Sequence, residues 1–154
     1  MSLQTDSASV EAIATALYES ISRVSGAFSN WERMRPLLSP GARIIPPSLQ
    51  GGPPTVLDFE AFRQHVDDNV LQLQAEGNDR GFHERELANR TERFGNIAHV
   101  WSSYASRYSA DDAEPFTRGI NSFQLTYHGG RWWVMTILWD VERADNPIPP
   151  EYLP

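Results

Sequence analysis

The sequence predicts an α+β fold in which helices lie on one face of a largely antiparallel sheet. Before residue 77, apolar side chains recur at helical spacing; after it, strand-like runs are separated by glycine-containing turns. The segment Arg131–Asp140 holds three of the five tryptophans and presents apolar residues to both sides of a strand. Because helices would cover one side only, the other side needs a second cover, most simply another copy of the chain.

Length and composition limit the classes of protein to consider. At 154 residues the chain fits one domain, 1–154, with a core of about 7–143 and an irregular proline-rich tail at 144–154. A net charge of −7 argues against binding to nucleic acid, and no apolar run is long enough for a membrane span. The absence of cysteine excludes disulfides and thiolate chemistry, and a reducing cytoplasm is the expected location.

Capping and helix-breaking residues give the bounds of individual elements. Ser29 and Glu32 form a capping-box pattern, Asp58 is the expected N-cap of the longest helix, and Gly77 ends that helix. After a loose tail at 1–6, the predicted helices are 7–25, 29–38 and 58–76, and the predicted strands are 42–45, 82–94, 97–108, 116–127 and 131–140. The last helix should turn one apolar side toward the sheet, formed by Phe59, Phe62, Val66 and Val70.

Three local motifs carry a resemblance to a known family. They are Leu38–Arg43 (LSPGAR), Asn96–Val100 (NIAHV) and Gly129–Val134 (GGRWWV). Together with the order of elements over about residues 7–143, they resemble the NTF2-like superfamily and, within it, the SnoaL-like group of small bacterial proteins. The resemblance implies a cone in which three N-terminal helices pack on a curved, mainly antiparallel sheet and enclose one deep pocket. It also implies a homodimer through the outer sheet face, where the expected contact residues are Trp101, Trp132, Val134 and Leu138.

The turn Gly95–Asn96 sets the register of the first hairpin, because it pairs Phe94 with Ile97. Glu84 and Arg107 would then be cross-strand partners on the outer side. Counting outward places on the pocket side His83, Arg85, Leu87, Asn89, Thr91, Ala98, Val100, Ser102, Tyr104 and Ser106. A slip of one residue would reverse every assignment.

The last hairpin allows two registers. A two-residue turn, Gly129–Gly130, and a three-residue loop, His128–Gly130, differ by one residue in the pairing. We prefer the three-residue loop, because the resemblance places Asn121 and Phe123 in the cavity. With that loop, the residues of the last strand on the same side are Trp133, Met135, Ile137 and Trp139.

The registers and the resemblance together predict a mostly apolar pocket with a few polar groups. Its expected ligand-binding residues are Tyr18, Asn89, Val100, Tyr104, Asn121, Phe123, Met135, Ile137 and Trp139. For catalysis, His83 could act as an acid or base, and Tyr104 with Asn121 could polarise a carbonyl. The alternatives are a strand-end histidine in partial solvent and two buried polar groups that satisfy each other.

The catalytic residues of the family transfer only in part. Members that resemble ketosteroid isomerase use a tyrosine of the first helix, an aspartate of the first strand and an aspartate of the penultimate strand. The matching positions here are Tyr18, Pro46 and Asn121, and a proline cannot take a proton. Members that resemble scytalone dehydratase use two histidines and an aspartate, and only His83 is placed in the pocket. The other histidines, expected on a helix surface, the outer sheet face and a turn, are His65, His99 and His128.

Two functional hypotheses follow. In the first, the protein binds a small hydrophobic carbonyl or hydroxyl compound without converting it. In the second, it is a cofactor-independent acid–base enzyme of the isomerase, dehydratase or cyclase kind. No cofactor or metal site is expected, because no cluster of His, Asp and Glu has usable spacing. A carboxylate or histidine in the cavity, close to Tyr104 or Asn121, would favour the enzyme.

Overall fold

A computed structural model describes residues 2–154. Its helices are α1 (Leu3–Asp6), α2 (Val10–Ile21), α3 (Trp31–Met34) and α4 (Phe59–Ala75). Its strands are β1 (Leu38–Ile45), β2 (His83–Phe94), β3 (Ile97–Arg107), β4 (Thr117–His128) and β5 (Arg131–Val141). Short 3-10 turns occupy Arg35–Leu37 and Pro150–Tyr152. Within residues 2–154, no helix has the length and apolar composition needed to cross a bilayer.

The five strands form one mixed sheet in the order β1-β5-β4-β3-β2. Strands β2 to β5 form an antiparallel meander, and β1 pairs in parallel with β5. Helices α2 and α3 pack with the sheet around one hydrophobic core, and α4 adds partly buried side chains to it. The α+β prediction is therefore confirmed.

Residues 2–6 are ordered, so the predicted loose tail is wrong there, and Met1 lies outside the described residues. Ser2 caps α1 by accepting a hydrogen bond from the Thr5 backbone N–H. Asp6, only 3% exposed, accepts two hydrogen bonds from the Arg33 guanidinium at 2.8 and 3.0 Å. This paired carboxylate fixes α1 on the start of α3, a contact that no local pattern reveals.

The ends of the helices differ from prediction where tertiary contacts intervene. Helix α2 ends at Ile21, because Arg23 forms a backbone bridge with Phe82 at the entrance to β2. The N-cap of α3 is Asn30, whose side chain accepts from the Arg33 backbone N–H, whereas the Ser29 hydroxyl donates to the Ile21 carbonyl.

Helix α4 follows the prediction closely. Asp58 is its N-cap and accepts a hydrogen bond from the Ala61 backbone N–H. The apolar side is the predicted one: Phe59, Phe62 and Val66 pack on the core, and Val70 is buried.

A β-bulge at Leu87 changes which side of β2 faces the helices. Phe94 pairs with Ile97 as predicted, and the register holds as far as Ala88. Beyond Leu87 the pairing shifts by one residue, so that Glu86 lies opposite Tyr104 and Glu84 opposite Ser106. The prediction that His83 and Arg85 point into the pocket is therefore wrong, and the two glutamates take those positions.

The last hairpin has the two-residue turn, so the preferred three-residue loop is wrong. His128 pairs with Arg131, and both intervening glycines have positive φ, 59° for Gly129 and 80° for Gly130, as such a turn requires. A second bulge at Met135 then shifts the pairing again, because Leu125 lies opposite Val134 and Gln124 opposite Thr136.

The two-residue turn overturns part of the predicted dimer surface, because it places Trp132 opposite Tyr127 and Val134 opposite Leu125. Trp132 and Val134 are buried in the core of their own chain, at 3% and 0% exposure, so they cannot form an outer interface. Leu138, beyond the bulge, is 44% exposed and does lie outside. Met135, the extra residue of the bulge, is displaced to the exterior at 37% exposure.

The C-terminal tail crosses the outer sheet face. The Tyr152 ring meets the Trp101 ring edge to face at 6.0 Å, and the Arg90 guanidinium lies 4.9 Å from the centre of the Tyr152 ring. Ile148 is buried, and its backbone N–H donates to Glu142. The chain thus covers Trp101 with its own tail, leaving a smaller apolar face than the sequence predicts.

Candidate functional site

A cavity of about 570 Å³ lies between helices α2 and α4 and the helix-covered side of the sheet. Every element except α1 contributes to its surroundings or to the core behind it. Most of the wall is apolar, formed by Leu17, Ile21, Met34, Ile44, Phe62, Val66, Phe82, Phe116, Phe123, Ile137 and Trp139. Its polar lining includes Tyr18, Glu84, Tyr104, Ser106 and Asn121.

A buried chain of hydrogen bonds holds one polar wall of the cavity. Asn121 Nδ2 donates to the Tyr18 hydroxyl at 3.0 Å, and the Tyr18 hydroxyl lies 2.6 Å from Ser102 Oγ. Ser102 Oγ in turn donates to Glu86 Oε2 at 2.5 Å. Burial raises the pKa of Tyr18 far above its ordinary value, and the charges of Glu84 and Glu86 add to this rise. The Tyr18 hydroxyl therefore keeps its proton at any physiological pH.

Glu84 brings a carboxyl group into the cavity without a cationic partner. The Ser106 hydroxyl donates to Glu84 Oε2 at 2.9 Å, and within residues 2–154 no Arg or His forms an ion pair with it. Burial raises the pKa of Glu84 to about 7, while the Ser106 hydrogen bond opposes that rise. Glu84 can therefore exchange a proton near neutral pH.

Tyr104 supplies the hydroxyl that remains available in the cavity. Its ring is buried, and in the described part of the chain no protein group hydrogen-bonds to its hydroxyl. Gly119 lies directly opposite on β4, and a Cβ at that position would clash with the Tyr104 hydroxyl and with the Asp140 carbonyl oxygen. Burial, with the nearby charge of Glu84, raises the pKa of Tyr104, so this hydroxyl is a stable hydrogen-bond donor.

Comparison with solved structures decides the fold. The sequence matches no protein-family model and no curated protein. An NTF2-like protein of unknown function from Shewanella baltica is 16% identical with a TM-score of 0.53, and the match covers 73% of this chain and 78% of that one. The chain has an NTF2-like fold.

Two further structures share the NTF2-like fold over more of the chain. A candidate calcium/calmodulin-dependent protein kinase type II association domain from Thiobacillus denitrificans has a TM-score of 0.62 at 13% identity, covering 88% of this chain and 96% of that one. A candidate ketosteroid isomerase from Parabacteroides distasonis has a TM-score of 0.56 at 13% identity, covering 87% and 88%. At these identities the likeness establishes the architecture alone.

The NTF2-like cavity gathers most of the predicted ligand-binding residues. Six of the nine line it: Tyr18, Tyr104, Asn121, Phe123, Ile137 and Trp139. Their role in binding stays a prediction. Three do not line it. Val100 is enclosed in the hydrophobic core, Asn89 is exposed on the edge strand, and Met135 is displaced outward by the β5 bulge.

The predicted polar pairs are also rearranged. Asn121 donates to Tyr18, so the alternative in which Tyr104 and Asn121 satisfy each other is not what the structure shows. Glu84 was expected on the surface beside Arg107, and the Leu87 bulge turns it inward instead. The same bulge pairs His83 with Arg107 on the opposite side, where the His83 Nδ1 atom is buried with no partner among the described residues.

Glu84 is thus the cavity residue that sequence reasoning missed. The pocket-side assignments along β2 depended on uninterrupted alternation from the Gly95–Asn96 turn. The one available signal was the spacing of Glu84 and Glu86, two acidic residues on the same side of a strand. Without knowledge of the bulge, that pair was equally compatible with the solvent side.

The other three histidines, His65, His99 and His128, lie apart from one another. His99 lies on the outer sheet face beside Gln124 and Trp101, and His128 stacks on Trp133 at the last turn. His65 lies on the exposed rim of the cavity on α4. Among residues 2–154, no group of three His, Asp or Glu side chains could hold a metal ion.

Proposed function

We propose that this protein binds a small hydrophobic molecule bearing an oxygen function in the cavity between α2, α4 and the sheet. The observation that carries the proposal is the cavity itself. Its volume of about 570 Å³ matches the range of small-molecule sites, and its largely apolar wall surrounds a few clustered polar groups. Burying about 200 Å² of apolar ligand surface would contribute about 5 kcal/mol to binding.

The polar groups supply selectivity rather than most of the affinity. A ligand that leaves a buried hydroxyl or carboxyl group unpaired loses about 1–3 kcal/mol for each such group. Tyr104 and Glu84 have free hydrogen-bonding capacity in the cavity, which favours a ligand oxygen over a plain hydrocarbon. The aromatic neighbours Phe62 and Trp139 meet edge to face at 6.3 Å and give the wall a fixed shape.

Tryptophan fluorescence offers a direct test. We expect saturable binding of 2-decalol to the parent protein, with the signal arising from Trp139 in the cavity wall. Trp139→Phe should remove most of the signal, and Asn121→Leu should weaken binding. Trp101→Phe, on the outer face, is the matched control and should change neither. Tight binding that survives both cavity substitutions would place the ligand elsewhere.

A second candidate function, acid–base catalysis, is favoured by Glu84. With a pKa of about 7, its carboxylate can take a proton from a carbon next to a carbonyl, while the C–H electrons form the enolate. The Tyr104 hydroxyl would donate a hydrogen bond to the enolate oxygen, and return of the proton to a different carbon would complete an isomerisation. In this reaction Glu84 takes the place of the aspartate that Pro46 replaces in the family pattern.

Hydrogen exchange into a ketone tests the catalytic candidate separately from binding. In D₂O the parent protein should accelerate deuterium incorporation next to the carbonyl of 2-decalone. Glu84→Gln should abolish the acceleration, and Glu92→Gln, an exposed position on the same strand, should retain it. Equal exchange rates for the parent and Glu84→Gln would exclude this role for Glu84, whatever the outcome of the binding experiment.

We further infer a homodimer through the part of the outer sheet face that remains open, where Leu138 is exposed next to the tail-covered Trp101. Sedimentation at micromolar concentration tests this: Leu138→Glu should convert dimer to monomer, and a monomeric parent would contradict it. We also propose that the protein is related to the SnoaL-like group, which the LSPGAR and GGRWWV motifs support. A cytoplasmic location is proposed because the sequence has no cysteine.

A further inference from the structure

The direction of each hydrogen bond around Tyr18 follows by elimination. Ser102 has a single hydroxyl proton, and it is donated to Glu86 Oε2 at 2.5 Å. The 2.6 Å contact between Ser102 Oγ and the Tyr18 hydroxyl must therefore use the tyrosine proton. Tyr18 then has no second proton to give Asn121, so the 3.0 Å contact there is a donation from Asn121 Nδ2. The chain of protons runs from Asn121 through Tyr18 and Ser102 to Glu86.

This direction leaves Tyr18 as an acceptor toward the cavity. Its proton is committed to Ser102 and its oxygen already accepts from Asn121, so Tyr18 has no proton to donate to a ligand and any further contact with one is as an acceptor. The Glu84 carboxylate, which receives one hydrogen bond from Ser106, also accepts. The Tyr104 hydroxyl is the hydrogen-bond donor of the cavity. Tyr18 therefore does not donate a hydrogen bond to a carbonyl group of the ligand.

We propose that the cavity selects a ligand with a hydroxyl group over the corresponding ketone, and that Glu86 sets this preference by directing the proton of Tyr18 away from the ligand. The inference rests on the proposed function and names its ligand class. A hydroxyl donates to Tyr18 or Glu84 and can accept from Tyr104, whereas a ketone satisfies Tyr104 alone. A hydroxy ketone would pair its hydroxyl group with an acceptor of the cavity and its carbonyl oxygen with the Tyr104 hydroxyl.

Glu86 acts as a positioning residue, because it touches Ser102 and not the ligand. Its other carboxylate oxygen, Oε1, accepts from Asn89 Nδ2 at 2.7 Å, which holds the carboxylate in place on the edge strand. Ser102 is fully buried, and Glu86→Leu fills the place of the carboxylate acceptor with an apolar side chain. Removing Glu86 lets Ser102 donate to Tyr18 instead, and the tyrosine proton then becomes available to a ligand.

The preference is measured with three compounds of one skeleton: 2-decalol, 2-decalone and decalin. We expect the parent protein to bind the alcohol at least tenfold more tightly than the ketone. Ser102→Ala and Glu86→Leu free the Tyr18 proton by different routes, and both should reduce the alcohol-to-ketone ratio to about one or below. Ser103→Ala is the matched control, because Ser103 is equally buried at the next position of β3 but forms no side-chain hydrogen bond in the described structure. Its ratio should equal that of the parent.

The outcomes separate this inference from the proposed function. Unchanged decalin affinity in each variant shows that the cavity has kept its shape. Equal or tighter binding of the ketone by the parent overturns the inference. A parent-like alcohol-to-ketone ratio in both Ser102→Ala and Glu86→Leu overturns it as well. In either case, binding of decalin still supports the cavity as a ligand site. Failure of all three compounds to bind the parent overturns the proposed function and the inference with it.

Discussion

Replacing Glu84 by glutamine should stabilise the protein at alkaline pH and have little effect at acidic pH. The side chain keeps its shape, and its amide oxygen can still accept the hydrogen bond from Ser106. What is removed is the charge of a buried carboxylate that has no cationic partner. Burial of such a charge opposes folding, because the unfolded chain hydrates it.

The magnitude follows from the pKa of Glu84. Its ordinary value is 4.5 and burial raises it to about 7, and each pKa unit corresponds to about 1.4 kcal/mol. Below pH 4.5 the group is protonated in both states and has no effect on stability. As pH rises from 4.5 to 7 the unfolded state loses its proton first, so the free energy of unfolding falls, and above pH 7 the loss is constant at about 3 kcal/mol.

Urea denaturation at pH 5 and pH 8 provides the measurement. The free energy of unfolding of Glu84→Gln relative to the parent should rise by about 2.5 kcal/mol between these pH values. The control is Glu92→Gln, an exposed glutamate on the same strand, for which the relative stability should change by less than about 0.5 kcal/mol. If both variants show the same pH dependence, Glu84 is hydrated in the folded protein and our account of the cavity is wrong.

Four further substitutions test the fold by their effect on urea denaturation. Val134→Ala should lower the free energy of unfolding by about 2 kcal/mol, because Val134 is fully buried. Met135→Ala, at the bulge, should lower it by less than about 1 kcal/mol. A larger loss for Met135→Ala than for Val134→Ala would contradict the register of β5. Asp6→Asn should cost about 2 kcal/mol at pH 7, and because Arg33 lowers the pKa of Asp6, the difference from the parent should disappear as pH falls below about 4. Phe62→Ala should lower the free energy of unfolding by about 1–2 kcal/mol. This is less than the roughly 3–5 kcal/mol of a fully buried phenylalanine, because Phe62 is only partly covered by Trp31 and Trp139. A loss of less than about 0.5 kcal/mol would show that α4 does not pack there.

The elements that the sequence predicts well are those whose signals are local. Asp58 caps α4 through its own side chain, and Gly95 marks the turn of the first hairpin through its backbone conformation. The apolar side of α4 follows from 3.6-residue periodicity. For the same reason, the order of helices and strands, and with it the fold class, is readable without a structure.

The details of the site are not local, and two bulges decide them. Segment 83–94 is polar on both sides, so its hydrophobicity does not reveal that Leu87 interrupts the alternation. The last strand has the opposite difficulty, because it is apolar on both sides and the bulge at Met135 leaves no mark in its pattern. The Leu87 bulge exchanges His83 for Glu84 in the cavity. In the last hairpin, the two-residue turn moves Trp132 and Val134 into the core, and the Met135 bulge then turns Ile137 and Trp139 toward the cavity.

The claim that the cavity is the ligand site is tested most directly by nuclear Overhauser effects between a bound alcohol and methyl groups of the protein. The isoleucine and leucine methyl groups are labelled with ¹³C, and 2-decalol is added in excess. Leu17 and Ile137 line the cavity, whereas Ile97 and Leu138 are exposed away from it. Our account predicts contacts from the bound alcohol to Leu17 and Ile137 and none to Ile97 or Leu138. Contacts to Leu138 or Ile97 with none to Leu17 and Ile137 would contradict it.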